Sequence, residues 1–283
     1  MERFPFIKMH GLGNDFVVLD ARAGDIAFDA AELRAIASRR TGIGCDQVIT
    51  IEPSDKADAF MRIHNADGGE VEACGNGTRC IGMLLMAEQD RQDAVIDTSA
   101  GLLRTHLAGD GLVRVDMGVP RLEWQEIPLA REMDTLHIDL ILGPKRWPVL
   151  ANPVGVNIGN PHAVFFVDDA EEVDLPTVGP LLEHNELFPD RVNVSIAAVT
   201  GENQVRLRVW ERGVGITRAC GTAACATAVA AARRKLTGRT VTVTLDGGPL
   251  IIEWDADNRV QMTGPVATSF AGTIDPTLLN GKA

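Results

Sequence analysis

The chain has 283 residues, 45% of them hydrophobic and 23% charged, which is the make-up of a folded globular protein rather than a disordered one. Its formal net charge of −12, with no dense Lys/Arg stripe to offset it, argues against a nucleic-acid partner and leaves a small molecule as the expected one. No run approaches the about 18 consecutive apolar residues of a membrane-spanning helix, and the first residues, MERFPFIKMH, lack the apolar core of a signal peptide, so a cytoplasmic location is expected.

In chain order, the runs FVVLD (16–20), QVITIE (47–52), AFMRIH (59–64) and LVRVDM (112–117) are rich in β-branched or aromatic residues and closed by turn residues, and read as strands. Between them DAAELRAIASRR (29–40) reads as a helix, with Asp29 as N-cap and arginines at its C-terminal end. TRCIGMLLMAEQ (78–89) is apolar on nearly every face and reads as a helix buried inside its sheet. The second half answers with the strand-like runs AVFFVD (163–168), NVSIAAV (193–199), VRLRVW (205–210) and VTVTL (241–245), and with the buried helix TAACATAVAAARRKL (222–236).

That answer is a repeat. Cys-Gly occurs at 74 and at 220 (220 − 74 = 146), and the same offset carries Asn14 onto Asn160, Gln47 onto Asn193 and Asn65 onto Glu211. It also pairs Gly101 with Gly247 and Gly118 with Gly264, as if no residue were gained or lost. The chain reads as two copies of one α/β domain. Because 267–283 lies one offset beyond 121–137, the expected division is 1–120 completed by 267–283, and 121–266, with a ligand in the cleft between the copies.

Five cysteines make an odd number, against a disulfide framework, and neither their spacing nor a nearby His suggests zinc, so no metal is expected. Cys45, Cys80 and Cys225 break the offset and read as packing residues, whereas Cys74 and Cys220 each stand where a buried helix begins. The first turn of a helix offers unpaired N–H groups and the positive end of its dipole, a setting that binds a carboxylate and lowers a thiol pKa. The glycine after each cysteine lets a carboxylate approach the bare amides. Two thiols serving one carbon suit proton abstraction from one face and delivery to the other, with a rate that rises and then falls with pH.

The segments KMHGLGNDF, NADGGEVEACGNGTRC, GNPHAVF and ERGVGITRACGTAACA, taken together and in this order, resemble the diaminopimelate epimerase family over essentially the whole chain. That resemblance implies two similar domains, each a β-sheet or barrel wrapped around a central helix, and a cofactor-independent isomerase interconverting LL- and meso-2,6-diaminopimelate for lysine and peptidoglycan synthesis, assembled as a homodimer. Cys74 and Cys220 would then be the acid/base pair. Gly75, Asn76, Gly221 and Thr222 would hold the carboxylate at the reacting centre. Asn14, Gln47, Asn65, Asn160, Asn193, Glu211 and Arg212 would line the rest of the pocket, and His162 with Glu211 would poise the thiols. Ile216, where an acidic residue is frequent, and Ala223, where glycine is frequent, depart from the family pattern.

Other readings stay open from the residues. A proline or hydroxyproline racemase of the same fold would need no second charged end for Glu211 and Arg212 to grip. A binding protein for a dibasic amino acid would exchange no substrate proton with solvent. A thiol sensor built on Cys74 and Cys220 would be switched reversibly by oxidant.

Overall fold

The computed structural model describes residues 3–24, 26–72, 74–109, 111–143 and 149–279; the last four residues of the expected tail, 280–283, lie outside them. The fold is mixed α/β, and the chain divides into two compact units, residues 1–115 with 264–283, and residues 116–263. No helix among the described residues is long and apolar enough to cross a membrane.

The first unit runs β1 (Phe4–Gly11), β2 (Asn14–Asp20), α1 (Ala30–Ala37), β3 (Gln47–Glu52), β4 (Ala59–Asn65), β5 (Glu70–Val71), α2 (Gly75–Gln89), β6 (Asp93–Thr98), β7 (Gly101–Leu107) and β8 (Leu112–Asp116). Strands β2 and β3 pair in parallel, as do β4 and β6, and a parallel pair needs a crossover. Helix α1 supplies the first and α2 the second. Alternation along β2 assigns the two faces: Phe16 and Val18 pack with Ile81, Leu85 and Met86 of α2, while Val17 and Leu19 pack with Leu33 and Ile36 of α1. Strands β1, β2, β3, β4, β6 and β8 all contribute to the core around α2, which is why that helix carries apolar residues on nearly every face.

In the second unit come β9 (Ile141–Leu142), β10 (Leu150–Ala151), β11 (Val154–Asn157), β12 (Pro161–Phe166), α3 (Leu175–Glu183), β13 (Asn193–Gly201), β14 (Gln204–Glu211), β15 (Gly215–Thr217), α4 (Gly221–Arg233), β16 (Thr240–Leu245), β17 (Gly248–Trp254) and β18 (Val260–Pro265). The chain closes with β19 (Ala267–Ile274) and the short α5 (Pro276–Leu279) in the first unit. Strand β19 pairs antiparallel with β1, from Phe4 opposite Ile274 to His10 opposite Ala267.

The repeat extends to individual strand partners. Phe16 pairs with Gln47 and His162 with Asn193; Val48 pairs with His64 and Val194 with Trp210, each set 146 apart (162 − 16, 193 − 47, 194 − 48, 210 − 64). After α4 the offset changes. The hairpin closed by Thr98 and Gly101 recurs at Leu245 and Gly248, so Gly101 answers Gly248 and not Gly247 (248 − 101 = 147). Likewise Thr105 opposite Val115 recurs as Ile252 opposite Met262, again at 147, which removes the match of Gly118 with Gly264. Counted from the start of the central helix to the strand that follows, the second copy holds one net residue more: α4 has 13 residues against 15 in α2, and the link to β16 (234–239) is longer than the link to β6 (90–92).

Helix α1 starts as its sequence predicts: Asp29 accepts from Ala31 N (2.7 Å) and Glu32 N (2.9 Å), and Glu32 accepts from Asp29 N (2.9 Å), closing a capping box. Its end differs. The helix stops at Ala37 with Ser38 as C-cap, so Arg39 lies beyond it and pairs with Asp15 and Asp46 instead of the helix dipole.

Candidate active site

Cys74 is the N-cap residue of α2. Its extended backbone (φ −145°, ψ 110°) turns the side chain back over the helix start, where Sγ accepts from Gly77 N at 3.4 Å. Sγ also donates toward Asn14 Oδ1 at 3.7 Å, and the same oxygen accepts from Asn76 Nδ2 at 3.1 Å. Three of the expected residues, Cys74, Asn14 and Asn76, are thus joined directly. Gly75 is the first residue of the helix, and its N–H belongs to the group of four for which helix geometry provides no i−4 acceptor. Gln47 and Asn65 form a separate cross-strand pair, Gln47 Nε2 donating to Asn65 Oδ1 at 2.9 Å.

Behind Asn14 stands a charged cluster that the sequence did not single out. Asn14 Nδ2 donates to Asp46 (3.0 Å), Arg39 bridges Asp46 and Asp15 (2.6 and 2.7 Å), and the buried Lys8 closes on Asp15 at 2.6 Å. Burial alone would raise the Asp15 carboxyl, but hydrogen bonds from Arg39 and Lys8 outweigh it and hold the group far below the usual carboxylate range.

In the second unit Cys220 caps α4 from the same extended backbone (φ −118°, ψ 108°), with Gly221 opening the helix and Thr222 Oγ1 at 3.5 Å from Sγ. The expectation that a helix start draws the thiol pKa down does not hold here. Burial pushes it well above its ordinary value, and the Glu211 carboxylate adds to this through its charge and a hydrogen bond with the thiol. The Thr222 hydroxyl and the Ala223 N–H act the other way and do not offset burial. Desolvation of a thiolate outweighs the partial charge of a helix start, which is worth at most about 2 kcal/mol even in partly buried geometries. Cys45 and Cys80 are buried packing residues, pushed to about 11 and about 12 by the same desolvation.

Glu211 ends β14 and also accepts from the Thr217 hydroxyl. Asn193 is buried and ties the next residue in place, its Oδ1 accepting from Arg212 N (2.9 Å) while its Nδ2 donates to Pro161 O (3.0 Å). The Arg212 guanidinium is exposed and donates to Asp190 O at 2.8 Å. His162 is fully buried in β12, with Nε2 at 2.9 Å from Asn160 Oδ1; burial, aided by the Arg212 charge, lowers its pKa to about 3, so the ring is neutral. Of the two departures, Ile216 is exposed and Ala223 is buried in the first turn of α4.

One supporting residue was missed: Glu183, the last residue of α3. Its side chain is buried and accepts from Trp210 Nε1 (2.7 Å) and Gly213 N (2.9 Å), on either side of Glu211 and Arg212. Gly179, one turn earlier, lets the indole lie against α3; a Cβ there would stand 2.5 Å from Trp210. The offset could have located α3, because it carries α1 onto 176–183 (30 + 146 and 37 + 146).

The family model described as diaminopimelate epimerase matches residues 6–123 and 154–268, most of both halves. The chain belongs to the diaminopimelate epimerase family. A diaminopimelate epimerase of Erythrobacter litoralis is 58% identical over 274 residues, 96% of this chain and 98% of the relative. Another, from Rhodospirillum centenum, is 56% identical over 98% of this chain and 94% of its own length. Among solved structures, a probable proline racemase of Agrobacterium radiobacter K84 superimposes with a TM-score of 0.66 at 17% identity, covering 99% of this chain and 96% of that one, a likeness of fold alone.

Proposed function

We propose that the chain is an isomerase interconverting LL- and meso-2,6-diaminopimelate by proton transfer at one α-carbon, with Cys74 and Cys220 as the two acid/base groups. The observation that carries this reading is the pair of cysteines at one 146-residue offset, each the N-cap of a buried helix, in a chain 58% identical to a diaminopimelate epimerase.

The α-proton of an amino acid is very weakly acidic, so negative charge developing on the α-carboxylate must be met by donors already in position. The N–H groups of Gly75, Asn76, Gly221 and Thr222, at the first two positions of α2 and α4, are suited to this. One sulfur takes the α-proton as thiolate and the other, as thiol, delivers its proton to the opposite face. The configuration inverts and the two sulfurs exchange protonation states. Because burial keeps Cys220 protonated, the Glu211 carboxylate bonded to it is the group that takes its proton when a thiolate is needed. Neutral His162 fixes the Asn160 amide.

A second amino-acid end needs its own partners. Arg212 offers a fork for the distal carboxylate, and Asn14, Gln47, Asn65, Asn160 and Asn193 offer amides for the remaining groups. The two repeats, 1–120 with 267–283 and 121–266, are the halves of this enzyme, and a cytoplasmic homodimer completes the reading.

The test is incubation of the reduced protein with LL-diaminopimelate in D2O, without added pyridoxal phosphate or metal, followed by NMR. Meso isomer carrying deuterium at the inverted carbon is the expected result. Absence of both inversion and exchange, with turnover of proline instead, would overturn the substrate assignment.

A further inference from the structure

The two cysteines stand at equivalent positions, yet the groups around their sulfurs differ in kind. Beside Cys74 four side chains form one hydrogen-bonded row: Arg79 Nη2 donates to Asn76 Oδ1 (2.8 Å), Asn76 Nδ2 to Asn14 Oδ1 (3.1 Å), and Asn14 Nδ2 to Asp46 Oδ2 (3.0 Å). A guanidinium only donates and a carboxylate only accepts, whereas an amide does both. Arg79 and Asp46 at the two ends therefore leave each amide between them a single orientation. Were the Asn14 amide reversed, its NH2 would meet the NH2 of Asn76 and its oxygen would meet a carboxylate. The consequence falls on Cys74, whose Sγ lies 3.7 Å from the Asn14 oxygen that the row turns toward it.

Both ends are built in. Asp46 Oδ2 also accepts from Asp15 N (3.1 Å), and its Oδ1 accepts from Arg39 (2.6 Å). Arg79 is fully buried and packs against Gly11, where an added Cβ would come within 2.9 Å of Nη2. The second copy has no such row, because the offset carries Asp46 onto Val192, Asn76 onto Thr222 and Arg79 onto Cys225. Cys220 meets Glu211 and Thr222 instead.

We propose that Asp46 and Arg79 are positioning residues for Cys74: they orient the Asn14 and Asn76 amides so that a carbonyl oxygen, and not an NH2, faces the thiol. The inference rests on the reading of Cys74 as an acid/base group. Asp46→Asn keeps an oxygen for Asn14 and Asp15 N while losing the charge and the bond from Arg39, which keeps its bonds to Asp15, and Asp46→Ala loses the oxygen as well. Expected is a fall in kcat of about tenfold or more in Asp46→Ala, with KM changed by less than about threefold and Asp46→Asn within about threefold of wild type. Equal losses in the two variants, or none in Asp46→Ala, would overturn the proposal. Arg79→Lys, which keeps a donor, should likewise retain more kcat than Arg79→Met; should the latter not fold, the Asp46 pair decides.

A second readout needs no substrate. In protein labelled with [15N]asparagine, the side-chain NH2 signal lost in Asn14→Ala identifies the Asn14 amide. Its hydrogen exchange should quicken about tenfold in Asp46→Ala and stay near wild type in Asp46→Asn. Unchanged exchange in Asp46→Ala overturns the row in an active enzyme. If instead the wild type turns over no diaminopimelate, the catalytic reading fails separately, and this exchange result alone upholds or overturns the positioning role.

Discussion

A carboxylate with only 4% of its side-chain surface in water needs donors, and Glu183 finds them in the Trp210 indole and the Gly213 backbone. Those donors bracket Glu211 and Arg212, so one buried side chain fixes the turn that carries two proposed site residues. Glu183→Ala should destabilise the protein by about 2–4 kcal/mol, since it strands an indole N–H and a backbone N–H, and should raise KM for diaminopimelate. Glu183→Gln, which keeps one carbonyl oxygen, should lose less of both; urea denaturation and steady-state kinetics check the two effects. Equal losses in the two variants would mean that the charge matters rather than the bonds to the turn. The sequence holds no sign of this residue, because its counterpart is Ala37 and its partners lie 27 and 30 residues away (210 − 183, 213 − 183). Cys74 and Cys220, or Asn14 and Asn160, are legible because the repeat prints each twice. Asp46, Arg79 and Glu183 have no like counterpart at the offset, and their partners are seen only in the folded chain.

At the scale of elements, periodicity and the repeat carried the reading far: QVITIE is β3 residue for residue, and the other strand-like runs fall on strands with ends shifted by at most two residues. Helix α3 escaped it because Leu175–Glu183 contains Pro176, Gly179 and Pro180, residues that ordinarily mark a turn. Pro176 lies in the first turn, where a helix accepts proline, and Gly179 makes room for Trp210, while Pro180 stands inside the helix. The C-terminal strand β19 shows how an element far along the chain joins the first core. Ile274 is 1% exposed and packs with Phe6, Leu33 and Ile36, and Phe270 meets Phe6 edge to face at 5.9 Å. Ile274→Ala should therefore cost about 2–4 kcal/mol, as for other buried aliphatic truncations, measured by chemical denaturation. A loss under about 0.5 kcal/mol would mean that β19 frays from β1 and contributes little to the core.

For the molecule as a whole, stability against pH is set by groups that folding holds neutral. Burial lowers His162 to about 3, so between the ordinary histidine pKa of 6.5 and that value the unfolded chain binds a proton that the folded chain does not. Stability is then fully present above about 6.5 and falls with acidity by about 1.4 kcal/mol per pH unit from this residue, with His64, also lowered chiefly by burial, acting in the same sense. The thiols give the opposite limb. Cys45 and Cys80 are raised to about 11 and about 12, and Cys220 is raised well above its ordinary value, in each case chiefly by burial. Their contribution is complete below the ordinary thiol pKa of 9.0 and is lost as pH climbs through the folded values, again by about 1.4 kcal/mol per pH unit for each. Denaturation under reducing conditions should accordingly give a plateau between about pH 6.5 and 9, and His162→Gln should flatten the acid limb down to about pH 4, where carboxylates begin to titrate. An alkaline limb as flat as the plateau would mean that the thiols ionise inside the fold. On the proposed reading the same burial has a catalytic corollary: Cys220 supplies no resting thiolate near neutral pH, and Glu211, the carboxylate bonded to it, is the group that would take its proton.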